Sequence, residues 1–181
     1  MSWLAQVDAS KLVFLDETGA KTNMTRLYAR SRRGQRCVDH APYGHWNTTT
    51  LVAAISWQGL LAPMVLDGPM NREAFVAYVE QMLAPALEPG MIVVMDNLAA
   101  HHAPSITGLL EAVGAQVHYL PPYSPDFNPI EQMWAKVKSG LRSAKARTQE
   151  ELMQAIAAAL ASVTLRDVQA FFCHCGVGMF T

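Results

Sequence analysis

The chain is poor in cysteine, and the three it has, Cys37, Cys173 and Cys175, are an odd set ill suited to a disulfide framework. Cys173-His174-Cys175 invites a zinc reading, but a closed site wants two separated ligand pairs, and Cys37 with His40 is the only complement available. No apolar run approaches the roughly 18 residues that a membrane span requires. The opening stretch, MSWLAQVDASK, lacks the basic-then-apolar order of an export signal, so a reducing cytoplasm is the expected setting. Surplus charge is missing as well. Fourteen Lys and Arg against 15 Asp and Glu leave a formal net charge of −1, which taken as a sum argues against a nucleic-acid partner. What is abundant is apolar sequence, 51% of the 181 residues, enough for one globular domain over residues 1–181 and too much for a disordered chain.

The charge is segregated, and the segregation reverses the argument from the sum. Six basic residues fall in Lys21 to Arg36 and five in Lys136 to Arg147, whereas Thr48 to Ala135 holds one, Arg72, against eight acidic residues. Two basic segments bracket an acidic centre, as a carboxylate site flanked by phosphate-gripping surfaces would require.

The pattern of apolar residues predicts a mixed α/β domain. Leu12 to Leu15 is a short apolar run that ends in Asp16 and Glu17, and Thr48–Ser56 with Leu60–Gly68 reads as a hairpin turning at Gln58-Gly59. Pro63 cannot donate to a ladder and places that second hairpin strand at an edge. Asn71 is positioned to cap a helix carrying Phe75, Val76, Val79, Met82 and Leu83 on one face. Met91 to Asn97 is a nearly continuous apolar strand that also ends in a carboxylate, Asp96; a helix with Pro104 in its first turn and Gly114 past its end follows, then a fifth strand, Gln116 to Leu120. Ile130, Met133, Trp134, Val137 and Leu141 keep the spacing of a core-facing helix. Thr148 with Glu151, and Thr164 with Asp167, open two more. The order predicts five strands with helices on both faces.

Three carboxylates stand out by position: Asp16 and Asp96 at strand ends, and Glu131 in the first turn of a helix behind the stretch LPPYSPDFNPIEQMW. In an open α/β sheet, ligands bind beyond the carboxyl ends of neighbouring strands, so Asp16 and Asp96 meet if their strands pair. Converging carboxylates repel unless a cation sits between them, and Mg²⁺, which takes oxygen ligands, is the natural choice. Asn128 as cap and Pro129 as first helical residue fix Glu131 in place. From it, Ala135, Lys138, Arg142 and Lys145 run along the helix beside the apolar stripe, a basic ridge on which a nucleic-acid backbone can lie.

These residues resemble a known family. FLDET around Asp16, NMTRLYARSRRGQ after it, VVMDN with His101 five residues beyond Asp96, and above all LPPYSPDFNPIEQMW are similar to the catalytic domain of bacterial insertion-sequence transposases of the mariner type, in the DDE superfamily. The resemblance runs from Leu12 to about Lys138, and more weakly through FFCHCG to the end. Thirty-four residues separate Asp96 from Glu131, a spacing like that of the family's second and third acidic residues. The resemblance implies a ribonuclease-H-like sheet of order 3-2-1-4-5, and an Asp16–Asp96–Glu131 triad holding two Mg²⁺ or Mn²⁺ ions. It further implies cleavage of DNA at a transposon's inverted-repeat ends, then strand transfer into target DNA at a TA dinucleotide, by a homodimer acting at the bacterial nucleoid. Family members carry a helix-turn-helix region before the first catalytic strand, and only eleven residues precede Leu12 here, so the expectation is either the catalytic half of a split reading frame, with a separate helix-turn-helix chain as partner, or a truncated remnant.

Arg30, Arg32 and Arg33 are the expected phosphate contacts of the first basic segment, with Lys138 and Arg142 those of the second. Tyr43 and Trp46 are candidates for base stacking. Asn97 and His101 are expected to orient the carboxylates, and Glu17 to point to the opposite sheet face from Asp16. Two other functions fit the same residues: a hydrolytic nuclease of the same fold, and a catalytically inactive DNA-binding or assembly subunit.

Overall fold

The computed structural model describes residues 7–43, 48–96, 104–121 and 125–177. Five strands, β1 (Leu12–Ala20), β2 (Thr49–Ser56), β3 (Gly59–Asp67), β4 (Ile92–Met95) and β5 (Gln116–Tyr119), form one sheet in the order β3-β2-β1-β4-β5. The hairpin half is antiparallel, while β4 runs parallel to both β1 and β5. Five helices cover it: α1 (Arg72–Tyr78), α2 (Pro104–Ala112), α3 (Pro129–Ala144), α4 (Gln149–Ala161) and α5 (Leu165–His174). The predicted sheet order and two-faced cover are both present.

Alternation along β1 separates two cores. Leu12 and Phe14 face one, shared with Ile130, Met133, Trp134 and Val137 of α3 and with residues of α4 and α5. Val13 and Leu15 face the other, shared with Phe75 and Tyr78 of α1 and with Ile106 and Leu110 of α2. The predicted apolar stripe of α3 is buried in full. The capping signatures of α4 and α5 both close as reciprocal boxes, and Asn71 accepts from the Ala74 amide at 2.8 Å.

Several expectations are corrected. β1 does not stop at Leu15 but continues to Ala20, because β2 pairs with it from Val13 to Ala20 while β4 leaves it after Phe14. Asp16 therefore sits within a strand, at the point where one neighbour has ended. β4 is shorter than expected, Ile92–Met95. The helix opened by Asn71 does not stay α-helical: after Tyr78 it widens into a π-helical stretch, Val79–Leu83, which keeps Val79 and Leu83 buried. Pro63 lies on an edge strand as predicted, and the ladder shifts register there, with Val52 opposite Met64 but Ala54 opposite Leu61. Ala62 takes up the slack at φ 45°, a bulge beside the proline that cannot donate.

α5 is tied to the sheet by aromatic contact. The Phe172 ring meets Phe14 edge-on at a centroid distance of 5.3 Å and Trp57 at 5.8 Å. Phe172 is fully buried. Phe172→Ala is expected to lower stability by about 3–5 kcal/mol, read from urea unfolding; a loss below about 1 kcal/mol would mean that α5 is not part of the cooperative core.

Candidate active site

The register of the parallel pair builds the site. Leu12, Val13 and Phe14 stand opposite Ile92, Val93 and Val94, and the same offset carried two residues further sets Asp16 beside Asp96. Both then share the face of Phe14 and Val94, the face that α3 covers. Glu17, one residue on, takes the opposite parity, as predicted. From the helical side, Glu131 lies in the first turn of α3 and is exposed, while Ile130 and Met133 on either side are buried against the sheet.

Asp16 is 8% exposed. Burial pushes its carboxyl up to about 7, and the negative charges of Glu131, Asp96 and Glu17 push the same way; a hydrogen bond from the Glu17 amide opposes them. Carboxylates from β1, β4 and α3 are thus within electrostatic reach of one another. They do not stand at ligand-to-ligand distance: among the described residues no three His, Cys, Asp or Glu side chains are grouped tightly enough to hold a metal ion. The donor set nevertheless fits a hard divalent cation, because every candidate donor is a carboxylate oxygen and the buried one is short of compensating positive charge. Cys37 and Cys173 are exposed and Cys175 is buried, with burial pushing its thiol up to about 11.

The N-terminus of α3 departs from the expected cap. Asn128 occupies the cap position, yet its side chain makes no capping hydrogen bond. The reason is local: Pro129 has no N–H, and the Glu131 amide donates to the Asn128 backbone carbonyl at 3.1 Å. The Asn128 side chain is buried, and its Oδ1 has no hydrogen-bond partner among the described residues. Support for this turn comes from α5, where Cys175 Sγ accepts from Gln132 Nε2 at 3.5 Å. Further along α3, Lys136 Nζ donates to Asp167 at 2.6 Å and to the Ser162 carbonyl at 2.9 Å, which locks α3 to the turn between α4 and α5.

The basic ridge is shorter than predicted. Lys138 and Arg142 stand half-exposed on α3, but Lys145 ends the helix in the left-handed region, at φ 52°, and pairs with Asp39 at 2.5 Å. Asp39 belongs to an arm, residues 21–43, that leaves β1 and carries Arg30, Arg32 and Arg33 exposed, with Tyr43 exposed beyond them. Arg147, not singled out in the sequence, holds the base of this arm: its Nη1 donates to the Thr22 carbonyl at 2.9 Å and the Met24 carbonyl at 3.1 Å. Arg26 lines a cavity with Arg142 that periodicity could not reveal, because the two positions are 116 residues apart (142 minus 26). Trp134 is core, as expected; Trp46, Asn97 and His101 lie outside the described residues.

A sequence profile of the DDE superfamily endonuclease family matches residues 11–153, a span that includes Asp16, Asp96 and Glu131. The chain belongs to that family. Its fold is that of the catalytic domain of the Mos1 mariner transposase. A Mos1 paired-end complex with the left transposon end superposes at a TM-score of 0.75 and 20% identity, covering 93% of this chain and 53% of the other. A Mos1 mariner paired-end complex with Mn gives 0.73 at 18% identity, with 93% and 53% covered. The isolated Mos1 catalytic domain with Raltegravir and Mn gives 0.67 at 15% identity, covering 96% and 86%. The present chain thus spans about half the length of the Mos1 chains in the paired-end complexes. No curated protein matches it in sequence.

The raised Asp16 carboxyl makes metal-free stability depend on pH. Below about pH 4 both the folded and the unfolded chain hold that proton. Between about pH 4 and pH 7 the unfolded chain loses it while the folded chain retains it, so stability falls as pH rises and levels off above 7. The contribution is of the order of a few kcal/mol. Urea unfolding in chelator across this window is expected to show that fall in the wild type and not in Asp16→Asn; parallel curves would place Asp16 in solvent.

Proposed function

We propose that this chain is the catalytic domain of a DNA transposase, in which Asp16, Asp96 and Glu131 hold two Mg²⁺ or Mn²⁺ ions for cleavage of a transposon's ends and strand transfer into target DNA. The observation that carries the reading is the convergence on Asp16 of charge from Asp96 and Glu131, each from a different element, within the span matched by the family profile.

Asp16 and Asp96 would present their oxygens from adjacent parallel strands and Glu131 from the helix above. Because burial holds the Asp16 proton near neutral pH, that carboxyl becomes a good oxygen donor only when positive charge is brought beside it. The cations, when bound, would activate the attacking water or DNA hydroxyl and offset charge on the leaving oxygen. Glu131 is held by a helix whose first turn is anchored through Ile130, Met133 and Gln132, so the helix sets its approach without a mobile loop. The arm with Arg30, Arg32 and Arg33, and the exposed side of α3 with Lys138 and Arg142, would take the phosphate backbone on either side. The similarity to Mos1 paired-end and strand-transfer complexes supports the reading that DNA ends are held and joined; the homodimer, the TA target and the bacterial nucleoid setting are parts of the proposal that rest on the sequence resemblance alone.

Two outcomes are expected. Asp96→Asn and Glu131→Gln each reduce Mn²⁺-dependent nicking and joining of DNA carrying the element's ends by at least about a thousandfold, equivalent to roughly 4 kcal/mol of barrier. Their metal-free thermal transitions stay at least as high as that of the wild type, since repulsion at Asp16 is relieved. Retained cleavage would remove the residue from the reaction, and release of DNA ends without any joining would assign a simple nuclease. Separately, Mn²⁺ is expected to raise the wild-type thermal transition more at pH 8 than at pH 5, where protons compete for Asp16; an equal rise at both would place the ion elsewhere.

A further inference from the structure

Two contiguous cavities run between the basic arm and the far half of α3. The first, about 260 Å³, is lined by Arg26, Leu27 and Tyr28 of the arm and by Ser139, Arg142 and Ser143 of α3. The second, about 330 Å³, shares the same three arm residues and ends at Asp39 and Lys145. The charge on the two differs. Asp39 in the second is already taken by Lys145, whereas among the described residues no carboxylate lines the first, whose lining includes two arginines and three hydroxyl-bearing residues. Like charges facing one small opening repel, and an anion with several acceptor oxygens relieves the repulsion while meeting the donors.

The arm arginines are not equivalent. Arg26 follows by two residues the Met24 carbonyl that Arg147 grips, so its backbone is tied to the turn between α3 and α4. Arg30, Arg32 and Arg33 lie past this anchor, around the turn closed by Gln35 N–H on the Arg32 carbonyl, and project into solvent. Arg26 is exposed as well, but its backbone sits beside the anchor, so ordering it on a ligand costs less backbone entropy than ordering the three arginines beyond.

We propose that Arg26 and Arg142, with Ser139 and Ser143 beside them, form one phosphate-binding site that grips a single backbone phosphate of duplex DNA; this rests on the DNA reading above. Arg142 lies eleven residues along α3 from Glu131, or about 16 Å at helical rise. For a duplex lying along α3 that is roughly five base-pair steps from the carboxylates. The site therefore sets where the strand enters the carboxylate cleft, and it does so from the one helix that also carries Glu131.

The test is binding of the full chain to a labelled random-sequence DNA duplex by fluorescence anisotropy across a salt series, with thermal transitions confirming that each variant is folded. Arg26→Gln and Arg142→Gln are each expected to lower the log–log salt slope by about one, and the double variant by about one and not two, because the phosphate is held only when both forks are present and is released when either is lost. Arg26→Lys is expected to keep the slope while binding more weakly, since charge is retained and the fork lost. A pairing of Arg26→Gln with Arg32→Gln, whose side chains reach different phosphates, is expected to lose about two. An unchanged slope in Arg26→Gln, or a loss of about two in the Arg26 and Arg142 double, would overturn the shared site while leaving DNA binding intact. No binding by the wild-type chain would overturn the DNA reading and this site with it.

Discussion

Three parallel pairs between β1 and β4, Leu12 with Ile92, Val13 with Val93 and Phe14 with Val94, set the geometry of everything that follows. A slip of one residue would send Asp96 to the face of α1 and α2 and leave Asp16 without its neighbour. The register is held by burial on both faces, since all three β1 residues are fully buried, as are Val93 and Val94. Two carboxylates are therefore aligned by an apolar ladder that carries no charge itself.

That ladder creates an electrostatic conflict which the rest of the structure tolerates without resolving. Asp16 is placed where water is scarce and where the neighbouring charges are of its own sign. A fold selected only for stability would put an apolar residue there, opposite Ala53 of β2. Two acids elsewhere are compensated: Asp167 is held well below the usual carboxylate range by Lys136 and by Thr164, and Asp39 is lowered by Lys145. The contrast is what the proposed role of Asp16 accounts for, and the surrounding cores supply the stability to keep a strained carboxyl there.

How much of this could be read beforehand depended on the range of the interaction. Local signals were legible: the stripe of α3, both capping boxes, the edge position of β3, and the carboxylates at Asp16, Asp96 and Glu131, because each rests on residues within a few positions of one another. The continuation of β1 past Asp16 was not, since it depends on β2 pairing up to Thr49, more than thirty positions away. The missing Asn128 cap was hidden because a residue that suits the position was displaced by its own carbonyl. The ridge was overextended at Lys145 for a related reason: helical spacing predicts which residues share a side, but not that the chain turns left-handed and spends that lysine on Asp39. Arg26 and Arg147 act across more than a hundred positions, and no periodicity reports such contacts.

The bulge in β3 has a consequence for how copies of this chain can meet. An open sheet offers two rims to any passing strand, and here both are poor templates: one is interrupted at Ala62 and Pro63, where the backbone kinks and a donor is missing, and the other, β5, is only four residues long. Zippering rim to rim into extended aggregates is thereby discouraged. Association between copies is left to side-chain surfaces, where it can be specific and reversible.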